Sequence, residues 1–485
     1  MLSVSAAGLL CSGMNIPDPS DSLAFRTVEI LWNLLEFGSK QEVANQLNCK
    51  ECISALKDAF IKQIRDGYSL ADRQLRNDLL VISSLVVSLC PTSPFLETGF
   101  TRLIVVLATF TEVKSHHELV RSLKLDQSHE DFEFKKLLMN ALVLLSSDSA
   151  SFQIFSEGRV ILSLFSFVRA NDSSSAVEWS PAQFEELQLQ ALDTLSAVAP
   201  LCLDDYMTCQ SNTRLLMLLE WCVGQADYGG HGNSFHGSGG RGNKRSQMRF
   251  CLRLIRSMVS VGDDALNQDL VDQGAIGQVV GILLNASTSP DENDSIDVEL
   301  QCDMLFIVSS LCEVDTHRKE LFGSQGVQVL VEYLKRDPDK INSPLGHHRL
   351  LLSAVDCVWS AVLGCYLTEQ LFLENDGIFH LMDLLEVIIE KVTYLGEILS
   401  SGSWICLENN RDYLESCKVG TKSKFHLAFS IFLRNFLVSK KYIFCGLVNY
   451  ILFRSFFIDH TYVVWIFSGP RACAVVEREE ADFSW

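Results

Sequence analysis

The sequence predicts an all-α protein, a solenoid of about seven helical repeats with an irregular C-terminal tail. Three observations lead there. A unit recurs about every fifty residues through the first 386 positions, an apolar stripe occupies a fixed place in that unit, and no period-2 alternation argues for strands.

The marker of the unit is a glycine just before an apolar run: Gly99, Gly158, Gly274, Gly326 and Gly377, with Lys50 and Asn212 at the equivalent place in two further units. Successive spacings are 49, 59, 54, 62, 52 and 51 residues. Four residues past the marker stand Leu103, Leu162, Leu216, Leu330 and Leu381; eight past it stand Leu107, Ile282, Leu334 and Leu385. Such i, i+4, i+8 spacing is one face of a helix. The glycine suits a tight corner between helices, where a backbone with positive φ strains any residue bearing a Cβ. A second apolar helix precedes each marker, over residues 28–35, 79–89, 137–145, 189–198, 252–259, 304–311 and 351–363. These runs are apolar on more than one face, as expected of helices sandwiched between neighbouring repeats. The reading is seven helical pairs.

An armadillo unit takes about 40–47 residues, so the spacing predicts an armadillo-type α-solenoid, a right-handed superhelix, with surplus length in polar segments. Those segments are about 110–135, 170–187, 224–247, 286–297 and 336–349. The expected organisation is a poorly ordered N-terminus over 1–20, a solenoid over 21–386 with a flexible Gly-rich loop at 224–247, and an atypical tail over 387–485.

Composition agrees with a large core: 48% of the 485 residues are hydrophobic and 21% charged. The formal charge of −20 opposes non-specific binding to nucleic acid or an anionic membrane. Sixteen cysteines without framework spacing, several in apolar helical runs, predict free thiols and a reducing compartment, the cytoplasm. No basic residue precedes the short apolar stretch of residues 1–14, which predicts no signal peptide. The tail differs from the body: residues 387–485 hold 11 basic and 10 acidic side chains and 18 of the 46 aromatics. Its longest uncharged run, 442–453, falls short of the ~20 residues that cross a bilayer, so no membrane span is expected. It reads as a variant terminus that caps the solenoid poorly.

Several strings are more specific. They are Asp18-Pro-Ser with Glu29-Ile-Leu-Trp-Asn-Leu-Leu-Glu36, Asp72-Arg-Gln-Leu-Arg-Asn-Asp78, Asp131-Phe-Glu-Phe-Lys-Lys-Leu-Leu138, His231-Gly-Asn-Ser-Phe-His-Gly-Ser-Gly-Gly-Arg-Gly-Asn-Lys244 and Phe372-Leu-Glu-Asn-Asp-Gly-Ile-Phe379. On these residues the chain resembles the family of cilia- and flagella-associated protein 69, armadillo-repeat proteins of motile axonemes and sperm flagella, over about residues 16–386. Family members are longer at both ends. The resemblance implies a non-catalytic scaffold for ciliary and flagellar assembly near the central pair, with axonemal or ciliary proteins as partners and the axoneme as its location.

The chemistry-bearing strings point the same way. Gly237-Ser-Gly-Gly-Arg-Gly-Asn-Lys244 is not a phosphate loop, because Asn243 parts Lys244 from Gly242 and Arg245 follows where Ser or Thr is required. It reads as an interhelical loop. As the locally cationic stretch of an acidic protein it is the candidate partner-binding site, through His231, Phe235, His236, Arg241, Lys244 and Arg245. Cys49-Lys-Glu-Cys52 has no second pair to complete a tetrahedral zinc site and reads as helix-packed thiols. The histidine pairs at 116–117 and 347–348 read as solvated loop. No catalytic residue, cofactor, metal or small-molecule substrate is expected. Trp32 and Trp359, each eighteen residues before a marker, read as core, with Trp32→Ala costing about 3–5 kcal/mol. Importin-type grooves carry Trp-x-x-x-Asn there. Here the fourth residues on are Glu36 and Leu363, which weakens the alternative of a transport adaptor or import receptor for soluble cargo.

Overall fold

The structure is a computed structural model that describes residues 22–169, 179–223, 244–288, 295–323, 325–336 and 349–384. All regular structure among the described residues is helical. The chain divides into two compact units, Met1–Gln278 and Val279–Trp485.

The first unit opens with α1 (Ser22–Phe37), α2 (Lys40–Leu47), α3 (Lys50–Asp66) and α4 (Leu70–Leu89). Then come α5 (Phe100–Thr109), a short α6 (Glu118–Ser122) and α7 (His129–Leu145). Two full repeats follow: α8 (Phe152–Glu157), α9 (Val160–Phe165) and α10 (Pro181–Val198); then α11 (Leu203–Thr208), α12 (Ser211–Val223) and α13 (Lys244–Val259). The short α14 (Asp264–Asp272) leads to α15 (Ala275–Thr288), within which the division falls. The second unit holds α16 (Ser295–Leu311), α17 (Asp315–Arg318), α18 (Glu320–Gly323), α19 (Gly326–Leu334), α20 (Arg349–Val362), α21 (Tyr366–Glu374) and a helix over 377–384.

The repeat is therefore a triad rather than a pair: a short helix, a middle helix and a long one. The short helices escape a periodicity reading because four to nine residues cannot show a stripe for two turns. The long helices also begin well before the predicted runs, α4 at Leu70 rather than 79 and α7 at His129 rather than 137. Their polar first turns are held by caps. The Ser69 hydroxyl accepts from the Asp72 amide at 3.1 Å while the Asp72 carboxylate accepts from the Ser69 amide at 2.9 Å. Ser180 and Gln183 make the same box on α10, with Pro181 at the first helical position. Part of the expected loop at 110–135 is thus α6 and the start of α7.

Long helices pack side by side, α4 on α7, α7 on α10 and α10 on α13 in the first unit, and α16 on α20 in the second. On α10 the shared layer is Phe184, Leu187, Ala191, Leu192, Leu195 and Val198, all buried. Each large side chain of this kind contributes about 1.5–3 kcal/mol. The predicted stripe is buried at Leu103, Leu216, Leu330 and Leu381, but Leu162 faces outward at 37% exposure. Its helix, α9, begins only after Arg159, which turns the leucine to the solvent side.

The corner needs positive φ, and it occurs at Gly99, Arg159, Gln210 and Gly274 in the first unit and at Gln325 and Asp376 in the second. Only two of the marker glycines carry it. Gly158 serves another purpose: a Cβ there would strike the Val105 side chain of α5, so the glycine lets one repeat approach the next. Where Asn212 replaces glycine, its side chain is used instead. It accepts from the Tyr206 hydroxyl at 2.6 Å and donates to the Asp269 carboxylate of α14 at 2.7 Å.

The periodicity did not reveal a set of buried polar residues on the long helices: Arg76, Lys135, Gln188 and Gln247, one on each of α4, α7, α10 and α13 in the first unit, and Gln301 on α16 in the second. Lys135 donates to the carbonyls of Ala108 and Phe110, at the end of α5, and to the Glu112 carboxylate at 2.6 Å. Gln188 does the same for the end of α9, donating to Phe167 O at 2.9 Å and Arg169 O at 2.8 Å. A helix leaves its last carbonyls without intrahelical donors. Lys135 and Gln188 supply them for α5 and α9.

Candidate binding face on the long helices

Of the six residues predicted to form a partner site, His231, Phe235, His236 and Arg241 lie outside the described residues. Lys244 and Arg245 open α13. The Lys244 ammonium donates to Trp221 O at 2.6 Å and sits 4.4 Å over the Trp221 ring, so it ties α13 to the last turn of α12. Of the expected loops at 170–187, 224–247, 286–297 and 336–349, residues 170–178, 224–243, 289–294 and 337–348 lie outside the described residues, as do His347, His348 and the tail from 387, while 181–187, 244–247, 286–288 and 295–297 are helical.

A different surface emerges on the outward side of the long helices. In the first unit it is a row of polar side chains linked from helix to helix. Arg73 of α4 meets Asp126 at 2.8 Å and Asp131 of α7 at 3.1 Å. Lys136 of α7 pairs with Glu186 of α10 and with Glu133. Gln190 of α10 donates to the Asn140 carbonyl oxygen of α7 at 2.7 Å, and Ser257 of α13 donates to Ser196 O at 2.7 Å. Arg253 of α13 stands 3.9 Å from Asp193. The second unit repeats the pattern where Ser309 of α16 meets Ser360 of α20 at 2.9 Å.

The electrostatics follow from these contacts. The Ser128 hydroxyl and the Arg73 guanidinium hold the Asp126 carboxyl well below the usual carboxylate range, against the opposing effect of burial. Burial opposes the charge on Lys136, yet Glu186 and Glu133 raise its affinity for the proton above the ordinary value. On the inner side, burial lowers the Arg76 proton affinity in spite of Asp131, 3.0 Å away.

Trp32 and Trp359 belong to this outward side, which overturns their reading as core. Trp32 is 37% exposed and Trp359 46%. On α1 the buried positions are Ala24, Thr27, Val28, Leu31 and Leu35; Trp32 stands one residue, about 100°, off that line. On α20 the exposed neighbour Asp356 shares the face of Trp359. Asn140, also eighteen residues before its marker, is exposed too. The same offset is buried at Thr194 and Val308, so the position is outward in some repeats and inward in others. The sequence did contain the signal, since polar Asp356 and Ser360 flank Trp359 at helical spacing.

Among the described residues no three His, Cys, Asp or Glu side chains group as a metal site, and no helix is long and apolar enough to cross a membrane. What the face offers is hydrogen-bonding amides, charges of both signs and an exposed indole. These are the components of a protein–protein contact, in which Trp and Arg are over-represented.

Three-helix repeats with stacked long helices define an armadillo-repeat protein. The armadillo-repeat family of cilia- and flagella-associated protein 69 matches residues 1–412, so its span passes the 386 expected from the sequence, and the chain belongs to that family. Cilia- and flagella-associated protein 69 of Homo sapiens is 49% identical over 392 residues, covering 81% of this chain and 42% of the relative. The Mus musculus protein is 48% identical over the same length and shares. The chain thus spans less than half the length of these relatives. Among solved structures, one from a study of a phosphorylation switch between cadherin and beta-catenin covers 78% of this chain and 65% of that one at 14% identity. Its TM-score is 0.36, a likeness too slight to bear on the fold.

Proposed function

We propose that this chain is a non-catalytic, protein-binding scaffold of cilia and flagella, and that its partners are axonemal proteins. They dock on the outward face of the long helices, in the first unit at the Asn140–Gln190 and Lys136–Glu186 links and in the second unit, taken by itself, at the exposed Trp359. The family supplies the location, since its relatives are named for cilia and flagella. The observation that carries the reading is the row of polar links between successive long helices of the first unit, Arg73 to Asp126, Lys136 to Glu186 and Gln190 to Asn140, which an extended partner can follow from one repeat to the next. By family resemblance the scaffold acts in axoneme stability near the central pair.

A tagged full-length chain expressed in multiciliated cells tests this. The scaffold reading expects signal along the ciliary shaft that survives detergent removal of the membrane, and at least a tenfold loss of that retained signal in the Asn140→Ala, Trp359→Ala double variant. A chain that washes out with detergent, or that collects in the nucleus with soluble cargo, contradicts it.

A further inference from the structure

Cys49 and Cys52 occupy a place in the fold that the repeat does not explain. Elsewhere the N-cap and third residue of a helix form a polar box, Ser69 with Asp72 on α4 and Ser180 with Gln183 on α10. On α3 the same two positions hold thiols: Cys49 is the extended N-cap (φ −129, ψ 156) and makes no side-chain cap, and Cys52 stands three residues on in the first turn. The N-cap and the third helical residue are one turn apart, so the Cα atoms of Cys49 and Cys52 are near neighbours at the start of α3. Cys52 is buried and Cys49 half-buried, so one sulfur is reachable from solvent and the other is held behind it. Cys209 and Cys365 are also half-buried, but neither has a second cysteine in its own turn.

We propose that Cys49 and Cys52 are a reversible dithiol–disulfide pair that exchanges with a small-molecule disulfide. The Cys49 thiolate attacks one sulfur of oxidised glutathione, forming a mixed disulfide and expelling one glutathione thiolate. Cys52 loses its proton and attacks the Cys49 sulfur, which closes the intramolecular bridge and expels the second glutathione thiolate. Two protons and two electrons leave the protein, and one glutathione disulfide becomes two thiols. A first-turn i, i+3 pair lies within the Cα separation that a disulfide spans. Burial first, then Cys52 and Glu51, push the Cys49 thiol above its ordinary value, so the thiolate is the scarce species near neutrality. Bridge formation is therefore about tenfold faster at pH 8 than at pH 7.

The test is thiol mapping by mass spectrometry of the full chain after exposure to oxidised glutathione, with far-UV circular dichroism to show that the helices are intact. The expected result is a Cys49–Cys52 bridge in the wild type, reversed by reduced glutathione. Cys52→Ser, which cannot close the bridge, should instead retain one glutathione on Cys49. The inference is overturned if the wild type keeps glutathione on Cys49. It is equally overturned if both cysteines stay free for alkylation in the folded chain.

Discussion

Lys135 and Lys136 are adjacent in the sequence and do opposite things. Lys135 points into the stack at 1% exposure and closes the end of α5; Lys136 points outward and spans to Glu186 on the next long helix. The same division separates Gln188 from Gln190 and Arg76 from Arg73. The inner residues Lys135 and Gln188 satisfy carbonyls at helix ends, so each is needed for stability. The outer row is only partly exposed, as at Lys136 and Glu186, yet these side-chain links close no helix end, so each adds less to stability and keeps an edge available to a partner.

The comparison can be broken from its strongest point downward. Lys135→Met leaves the Glu112 carboxylate and two carbonyls buried without their donor and is expected to cost about 3–5 kcal/mol, read as a fall in the denaturant midpoint of unfolding. Gln188→Leu strands the Phe167 and Arg169 carbonyls and should cost about 1–3 kcal/mol. Ser180→Ala removes the cap of α10 for about 1 kcal/mol, visible as faster amide exchange confined to its first turn.

Asp126 sharpens the comparison through pH. Its folded-state affinity for protons is depressed by Ser128 and Arg73, so its stabilising effect is fully present above the unfolded carboxylate value near 4 and is lost as pH falls through the folded one. Asp126→Asn should lower stability at neutral pH and flatten the decline below about pH 4, so that variant and wild type converge in acid, as an acid titration of the unfolding midpoint will show. The smallest stability effects belong to Lys136→Ala and Trp359→Ala, each within about 1 kcal/mol of wild type. A loss of 3 kcal/mol or more at Trp359 would return it to the core.

How much of this was legible follows from what periodicity can carry. The fifty-residue unit, the stripe at Leu103, Leu216, Leu330 and Leu381, and the buried face of each long helix are repeated often enough to stand out. The N-terminal halves of α4 and α7 were not legible as helix, because Asp72, Arg73, Asp131 and Lys135 look like loop until their caps and partners are known. In six of the seven units the corner falls within two residues of the marker, which is glycine in five units and Lys50 or Asn212 in the other two. Arg159, Gln210, Gln325 and Asp376 take the left-handed conformation because packing over-determines it there. The exposed tryptophans were misread by treating a large apolar side chain as sufficient evidence of burial. As for the candidate site, four of its six residues lie outside the described structure, and the outward row could not be seen from charge runs, since its members are one per turn on different helices.

The central claim is that neighbouring polar residues on a long helix divide between holding the stack and meeting a partner. The most direct measurement compares Lys135→Met and Trp359→Ala, each in the full chain, for unfolding midpoint and for retention on detergent-extracted axonemes. The account predicts a large loss of stability for the first, and an unchanged midpoint with at least tenfold weaker retention for the second. Equal loss of stability in both, or full retention with Trp359→Ala, contradicts it.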